Sequence, residues 1–179
     1  MKSIMHFADI GITDIPLVGG KNASLGEMYS SLSSKGIMVP EGFAVTALGY
    51  WSFLNYGNLI PALTAILSKL DVKSFNNLSE TGSEARKLIL QATFPPLLQN
   101  EITTAYRQLV LHSGTNNSFA VRSSATAEDL PAASFAGQQE TYLNVKGEEN
   151  LIKACHRCYA SLFTDRAIKY RADNGFHHM

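Results

Sequence analysis

Residues 119–145 read FAVRSSATAEDLPAASFAGQQETYLNV, and the fold turns on how this stretch is parsed. Phe119, Ala120 and Val121 make a short strand-prone run, and TYLNV at residues 141–145 makes a second, apolar-alternating one. Between them lie Ser, Thr, Ala and Gly with almost no bulk, so the pattern predicts strand, small-residue loop, strand. Such a loop lets backbone amides and hydroxyls approach a ligand, with Gly137 free to take backbone angles that other residues avoid. Phosphate suits it. Arg122, at the lip of the first strand, carries a planar guanidinium able to grip phosphate oxygens through two parallel hydrogen bonds. The competing reading of the same residues is a surface hairpin whose Arg122 pairs with Glu128 or Asp129.

Upstream, Gly19-Gly20-Lys21-Asn22 precedes a helical pattern that sets Leu25, Met28 and Leu32 on one face. Asn22 or Ser24 is expected to cap that helix, and Lys35-Gly36 to end it. Free amides, the helix dipole and the Lys21 charge together make an anion site. The spacing is not that of a Walker A loop, because no Ser or Thr follows the Lys and the leading Gly is missing.

These words, taken together, resemble a known family. AVRSSATAEDLP followed by SFAGQQETYLNV, with GGKNASLGEM, VPEGF and CYASLFTDRAIKYR in the same order, is similar to the N-terminal nucleotide-binding domain of phosphoenolpyruvate synthases (pyruvate, water dikinases). Pyruvate phosphate dikinases and rifampicin phosphotransferases share the signature. The resemblance spans about residues 18–176. It implies an ATP-grasp fold, in which two lobes grip ATP, with residues 1–179 as a single first lobe. It implies ATP as ligand, with Lys21, Arg122, Gly137 and Thr141 contacting it, and offers Ser123, Ser124, Thr126, Gln138 and Gln139 as phosphate-loop contacts. The two glutamines could equally satisfy loop carbonyls.

The implied parent reaction converts ATP, pyruvate and water to AMP, phosphoenolpyruvate and phosphate through a phosphohistidine. The resemblance places the Mg2+ ligands in a second lobe, and it places a phosphohistidine domain and a pyruvate-binding barrel outside this chain. No catalytic residue or metal-ligand set is therefore assigned within it, and nucleotide binding without full turnover is expected. Ala132 departs from the family, which commonly has Asp there. Two other readings stand beside the synthase: a non-catalytic nucleotide-binding or regulatory module, and the ATP-binding lobe of an antibiotic phosphotransferase.

At 179 residues the chain is long enough for one domain with a proper core and short for two. Lys plus Arg and Asp plus Glu both number 15, so no global field draws in nucleic acid or an anionic membrane, and local cations must do any anion binding. Cys155 and Cys158 form a lone C-x-x-C on a helical pattern, without the second pair or His ligands of a zinc site. They read as small apolar helix positions in a reducing compartment. The N-terminus lacks the features of a signal peptide and no stretch is long enough to span a membrane, so the expectation is cytoplasmic.

The rest of the pattern predicts α+β: helix-rich, with a small mixed or antiparallel sheet. A strand is expected within residues 4–10, a turn at Asp14-Ile15-Pro16, and an extended segment over 37–46. Helices are expected over 46–56, 58–70, 79–92 and 97–112, then over 148–173 as one rod or two in line. Tyr50, Trp51, Phe53 and Tyr56 are expected to pack in the core. His112 is expected to cap its helix end. Arg157, Arg166, Lys169 and Arg171 are expected to form a solvated face or a network against neighbouring helices. A single lobe should expose the apolar face that its missing partner covers, so a homodimer through that face, or a sizeable exposed patch, is expected.

Overall fold

The computed structural model describes residues 2–114, 117–124, 129–130, 133–134 and 140–177, with 129–130 and 133–134 described by their backbone alone. Its strands are β1 (Ile4–His6), β2 (Phe43–Val45), β3 (Phe119–Arg122), β4 (Asp129–Leu130), β5 (Ala133–Ser134) and β6 (Thr141–Val145). Among the described residues they form three separate antiparallel pairs, β1 with β2, β3 with β6 and β4 with β5. The helices are α1 (Ile15–Val18), α2 (Gly20–Ser33), α3 (Ala47–Tyr56), α4 (Leu59–Leu67), α5 (Leu78–Gln91), α6 (Pro96–Ser113), α7 (Glu148–Ser161) and α8 (Asp165–Asp173). The class is α+β and helix-rich, and all strand pairing is antiparallel.

Helical spacing builds the core. Leu59, Leu63 and Leu67 line one stripe of α4, and Leu98, Ile102, Tyr106 and Leu109 line one stripe of α6. Phe53, Leu54, Ile89, Ile102, Phe163 and Ile168 are wholly buried where these stripes meet. The strand-loop-strand unit is fastened to this core at its feet. Val145 belongs to the main cluster, Phe119 packs edge-on against Tyr106 at 5.3 Å, and the Tyr106 hydroxyl accepts from the Gly147 amide at 2.8 Å.

Several boundaries depart from the periodicity. The first strand stops at His6, a 3₁₀ turn takes up residues 7–9, and the expected turn at Pro16 is the short helix α1. Helix α2 starts at Gly20 with Gly19 as its cap, not at Asn22 or Ser24, because Gly19 sits at φ +78° and turns the chain directly from α1 into α2. The Asn22 side chain instead donates to the Val18 carbonyl at 2.8 Å. Of the one rod or two expected at residues 148–173, the chain forms two helices, with the break at residues 162–164, where the Thr164 hydroxyl caps α8 by accepting from the Ala167 amide. Arg86 of α5 holds that break by donating to the Phe163 carbonyl at 2.8 Å and to Asp165 at 2.9 Å.

The buried face of α2 is also not the expected one. Met28 is exposed, while Gly20, Ala23 and Gly26 are buried. A side chain at Gly26 would place its Cβ 2.4 Å from the Ile10 carbonyl oxygen, so this helix approaches the preceding segment backbone to backbone. Of the aromatics expected in the core, Phe53 alone is fully buried. Tyr50 is half-buried, and Trp51 and Tyr56 are exposed. Helix α3 turns only one stripe inward, and four aromatics within seven residues exceed that stripe's width.

His156 lies among Phe94, Phe53 and Tyr159, its ring 4.6 Å from Phe94 and 5.7 Å from Phe53, and its Nε2 donates to the Ala92 carbonyl at 2.9 Å. Burial pulls its pKa below the ordinary 6.5, the carbonyl opposing that only in part. The unfolded chain therefore takes up a proton that the native ring refuses, so stability is full above 6.5 and falls as pH drops through 6.5 toward the lower folded value. Melting temperatures at about pH 7.5 and about pH 5.5 should show a smaller drop in His156→Phe than in the unmodified chain. Equal drops would remove His156 as the cause.

Candidate functional site

The β3–β6 ladder sets Arg122 directly opposite Thr141, and Val121 opposite Tyr142. Opposed residues of an antiparallel pair present their side chains on one face with Cβ atoms about 5 Å apart, so two positions 19 apart in sequence become neighbours. The register slips between Phe119 and Val121, where Asn144 takes a left-handed φ of +57°. This irregularity lets the pair anchor in the core at Val145 while its other end reaches the surface. Arg157 of α7 covers the opposite side of β6, its guanidinium 5.3 Å from the Tyr142 ring centre.

Arg122, Ser123, Ser124 and Thr141 line one cavity of about 1060 Å³. Among the described residues the buried Oγ atoms of Ser123 and Ser124 have no hydrogen-bond partner, an arrangement that costs about 1–3 kcal/mol per group until something bonds to them. Arg122 is exposed and forms no ion pair among the described residues, while Glu128 and the side chain of Asp129, the partners weighed from sequence, lie outside them.

Val18, Asn22 and Leu25 line the same cavity. They bring the first turns of α2 to it, and Lys21 stands beside that wall, half-buried, without lining it. Of the nine positions singled out from sequence, the fold thus gathers Arg122, Ser123, Ser124 and Thr141 and places the turn bearing Lys21 alongside. Thr126, Gly137, Gln138 and Gln139 lie outside the described residues, as does Ala132.

At the rim, His112 Nδ1 meets Glu41 Oε2 at 3.3 Å. His112 lies in the last turn of α6, as expected, and also ties that end to the segment before β2. Among the described residues no group of three or more His, Cys, Asp or Glu side chains could hold a metal ion. Nor does any described helix have the length and apolarity to cross a membrane.

The inner end of the cavity was not legible in the sequence. Tyr50, Tyr159 and Arg171 line it, together with Cys155 and Cys158. Arg171 is 7% exposed, so of the two expectations, a solvated face or a network against neighbouring helices, it takes the second. It follows Ala167 and Ile168 by four and three residues on the buried stripe of α8, donates to the Leu162 carbonyl, and stands 5.8 Å from the Phe163 ring centre. Burial lowers its pKa to about 10, the nearby Tyr50 opposing. Burial raises both thiols to about 12, so they stay protonated at neutral pH, and both are free cysteines as expected of apolar helix positions. The Tyr159 hydroxyl, also pushed up by burial, is enclosed without a hydrogen-bond partner among the described residues. Spacing alone could have flagged Arg171, since a cation in register with an apolar stripe has few reasons to be there.

The family model described as pyruvate phosphate dikinase, AMP/ATP-binding domain, matches residues 15–179. The protein named phosphoenolpyruvate synthase from Synechocystis sp. is 52% identical over 180 residues, covering 98% of this chain and 22% of the relative. The protein of the same name from Neisseria meningitidis serogroup B is 51% identical, with the same coverage of 98% and 22%. That from Escherichia coli (strain K12) is 46% identical over 175 residues, again covering 98% and 22%. The chain thus spans about a fifth of the length of the curated relatives it matches. A match of this extent, on a chain whose serine pair, arginine and threonine meet at one cavity, shows that the chain belongs to the pyruvate phosphate dikinase AMP/ATP-binding domain family.

Proposed function

We propose that this chain is the ATP-binding portion of a phosphoenolpyruvate synthase, and that ATP lies along the cavity between the β3–β6 pair and the first turns of α2. The juxtaposition of Arg122 with Thr141, beside two buried serine hydroxyls that lack partners among the described residues, carries this reading. Arg122 and Lys21 hold the phosphates, the guanidinium by paired hydrogen bonds and the ammonium as a point charge. Ser123, Ser124 and Thr141 donate hydroxyl hydrogen bonds, and Thr126, Gly137, Gln138 and Gln139 complete the loop around the nucleotide. Phosphoryl transfer is mostly alignment and neutralisation of charge, and these residues supply the cationic and hydroxyl part of that.

The parent protein uses this nucleotide to phosphorylate pyruvate, with water as second acceptor and a histidine as carrier. Mg2+, when bound, neutralises phosphate charge, and its ligands belong to a second lobe of the ATP-grasp fold. The chain alone binds nucleotide without completing the reaction. The synthase names of the relatives favour this reading over an antibiotic phosphotransferase or a regulatory module. Calorimetric titration of ATP into the chain and into its Lys21→Ala and Arg122→Ala variants tests it, and equal affinity in all three would remove the assignment.

In isolation the chain should also pair with itself. Ile37, Met38, Leu111 and Leu143 are all exposed, Met38 at 97%, a load of apolar surface that favours a covering partner. Size-exclusion chromatography with light scattering should report a dimer. A clean monomer that binds no hydrophobic dye would count against it.

A further inference from the structure

We propose that Cys155 and Cys158 are an oxidation site on the cavity wall: a peroxide that enters the cavity joins their sulfurs in one disulfide within α7, and the chain so bonded holds nucleotide less tightly. The second half rests on the reading of this cavity as the nucleotide site.

Cys155 and Cys158 lie three residues apart in the middle of α7, on the stripe that also buries Leu151 and Ala154. A helix that rises about 1.5 Å per residue, with about 3.6 residues per turn, sets Cα atoms three apart at about 5 Å and stacks their side chains on one face. That separation lies within the range of about 4.4–6.8 Å that a disulfide spans between Cα atoms. Cys155 also adds to the rise in the Cys158 pKa, as a close neighbour does.

Both side chains line the cavity, which at about 1060 Å³ has ample room for a molecule as small as a peroxide. Burial holds the thiols protonated at neutral pH, so the first step is slow. In that step one Sγ gives up its proton and attacks a peroxide oxygen, the O–O bond breaks, and a sulfenic acid and one water form. The other Sγ then displaces the sulfenic hydroxyl, which leaves as water with the second thiol proton, and the S–S bond closes. Two thiols are oxidised and one peroxide is reduced to two waters. The second step is fast because the partner sulfur already waits one turn away. In a reducing compartment a disulfide of this kind is transient, which suits a sensor.

The bond reaches the phosphate side of the cavity through its own ring. Inside that ring lie His156, which donates to the Ala92 carbonyl, and Arg157, which stands 5.3 Å from the Tyr142 ring centre. An S–S bond of about 2 Å is shorter than any contact between two thiols, so closing it draws this turn together. Arg157 shifts with the turn, and through Tyr142 so does Thr141, which faces Arg122 across the ladder.

Treating the chain with hydrogen peroxide, digesting it with trypsin without reductant and mapping the products by mass spectrometry tests the bond. Arg157 lies between the cysteines, so trypsin parts them, and a disulfide alone keeps peptides 154–157 and 158–166 together. The linked pair should appear, a thiol reductant should separate it, and saturating ATP should slow its formation by about fivefold or more. Calorimetry on the linked, monomeric chain should show ATP affinity lowered by about three- to tenfold and restored by reductant. Peroxide should leave the affinity of Cys155→Ala and Cys158→Ala unchanged, which also controls for oxidation of the exposed Met28 and Met38.

Unchanged thiols, sulfinic or sulfonic acid without a linked pair, or bonds only between two chains would each overturn the proposal. So would linking at the same rate with ATP bound, or a linked chain that binds ATP as tightly as before. A chain that binds no ATP even before oxidation fails the nucleotide reading instead, and the linked pair by itself then upholds or overturns the oxidation site.

Discussion

Arg122→Ala is expected to weaken ATP binding to the isolated chain by about 30- to 150-fold, or about 2–3 kcal/mol, while Lys21→Ala weakens it by about tenfold. The difference follows from geometry. A guanidinium gives a phosphate two parallel charge-assisted bonds from a rigid fork, whereas an ammonium on a flexible stem acts as a point charge. Arg122→Lys should therefore recover only part of the loss. Because the residue is exposed, its contribution should shrink as salt is raised. Arg122 has no ion pair among the described residues, so its removal should leave the melting temperature nearly unchanged. Lost affinity without lost stability marks a ligand contact. A large drop in melting temperature would make Arg122 a structural residue and undo the assignment.

Gly26→Ala should destabilise the fold by about 2 kcal/mol, lowering the melting temperature by about 4–8 °C, and Gly26→Val should do more. In an open helix the change to alanine would instead stabilise by about 1 kcal/mol. Here the added Cβ falls 2.4 Å from the Ile10 carbonyl oxygen, 2.6 Å from its Cβ and 2.8 Å from its Cγ2. A carbonyl oxygen on a packed backbone cannot swing aside as a side-chain tip can, so α2 must move as a body. That movement carries Lys21, Asn22 and Leu25 with it, and ATP affinity should fall alongside stability. Gly36 serves as the control. It sits at φ +76° with nothing within 4 Å of a built Cβ, so Gly36→Ala pays only the backbone strain of about 1–2 kcal/mol and leaves the cavity alone. Thermal melts together with ATP titration of both variants check this, and a Gly26→Ala protein that melts higher would refute the close approach of α2 to residue 10.

Much was readable before any coordinates. Turn residues and apolar spacing located the helices to within a few residues, because each buries one stripe and the stripe is written in local order. The two strands framing the small-residue stretch likewise announced themselves, and with them Arg122 and Thr141, whereas the strand pair that the described residues 129–130 and 133–134 form inside that stretch did not. The errors were also local in origin. Periodicity gives α2 a face of large residues, yet close packing favours its small ones, and it turns the four aromatics of α3 inward although only one stripe of that helix meets the core.

What no local pattern contained was the pairing across distance. Arg122 faces Thr141 only because the β3–β6 ladder takes that one register, since a shift of a single residue would turn one of them to the other side. Tyr159 and Arg171 reach the inner wall of the cavity only because α7 and α8 break at residues 162–164 and fold onto α3 and α5. The amino-acid order by itself determined which segments are helix and where the two strands that carry Arg122 and Thr141 lie. Tertiary structure decided which of them share a cavity and which polar groups are left inside it waiting for a partner, because burial and register depend on contacts between residues that the chain keeps far apart.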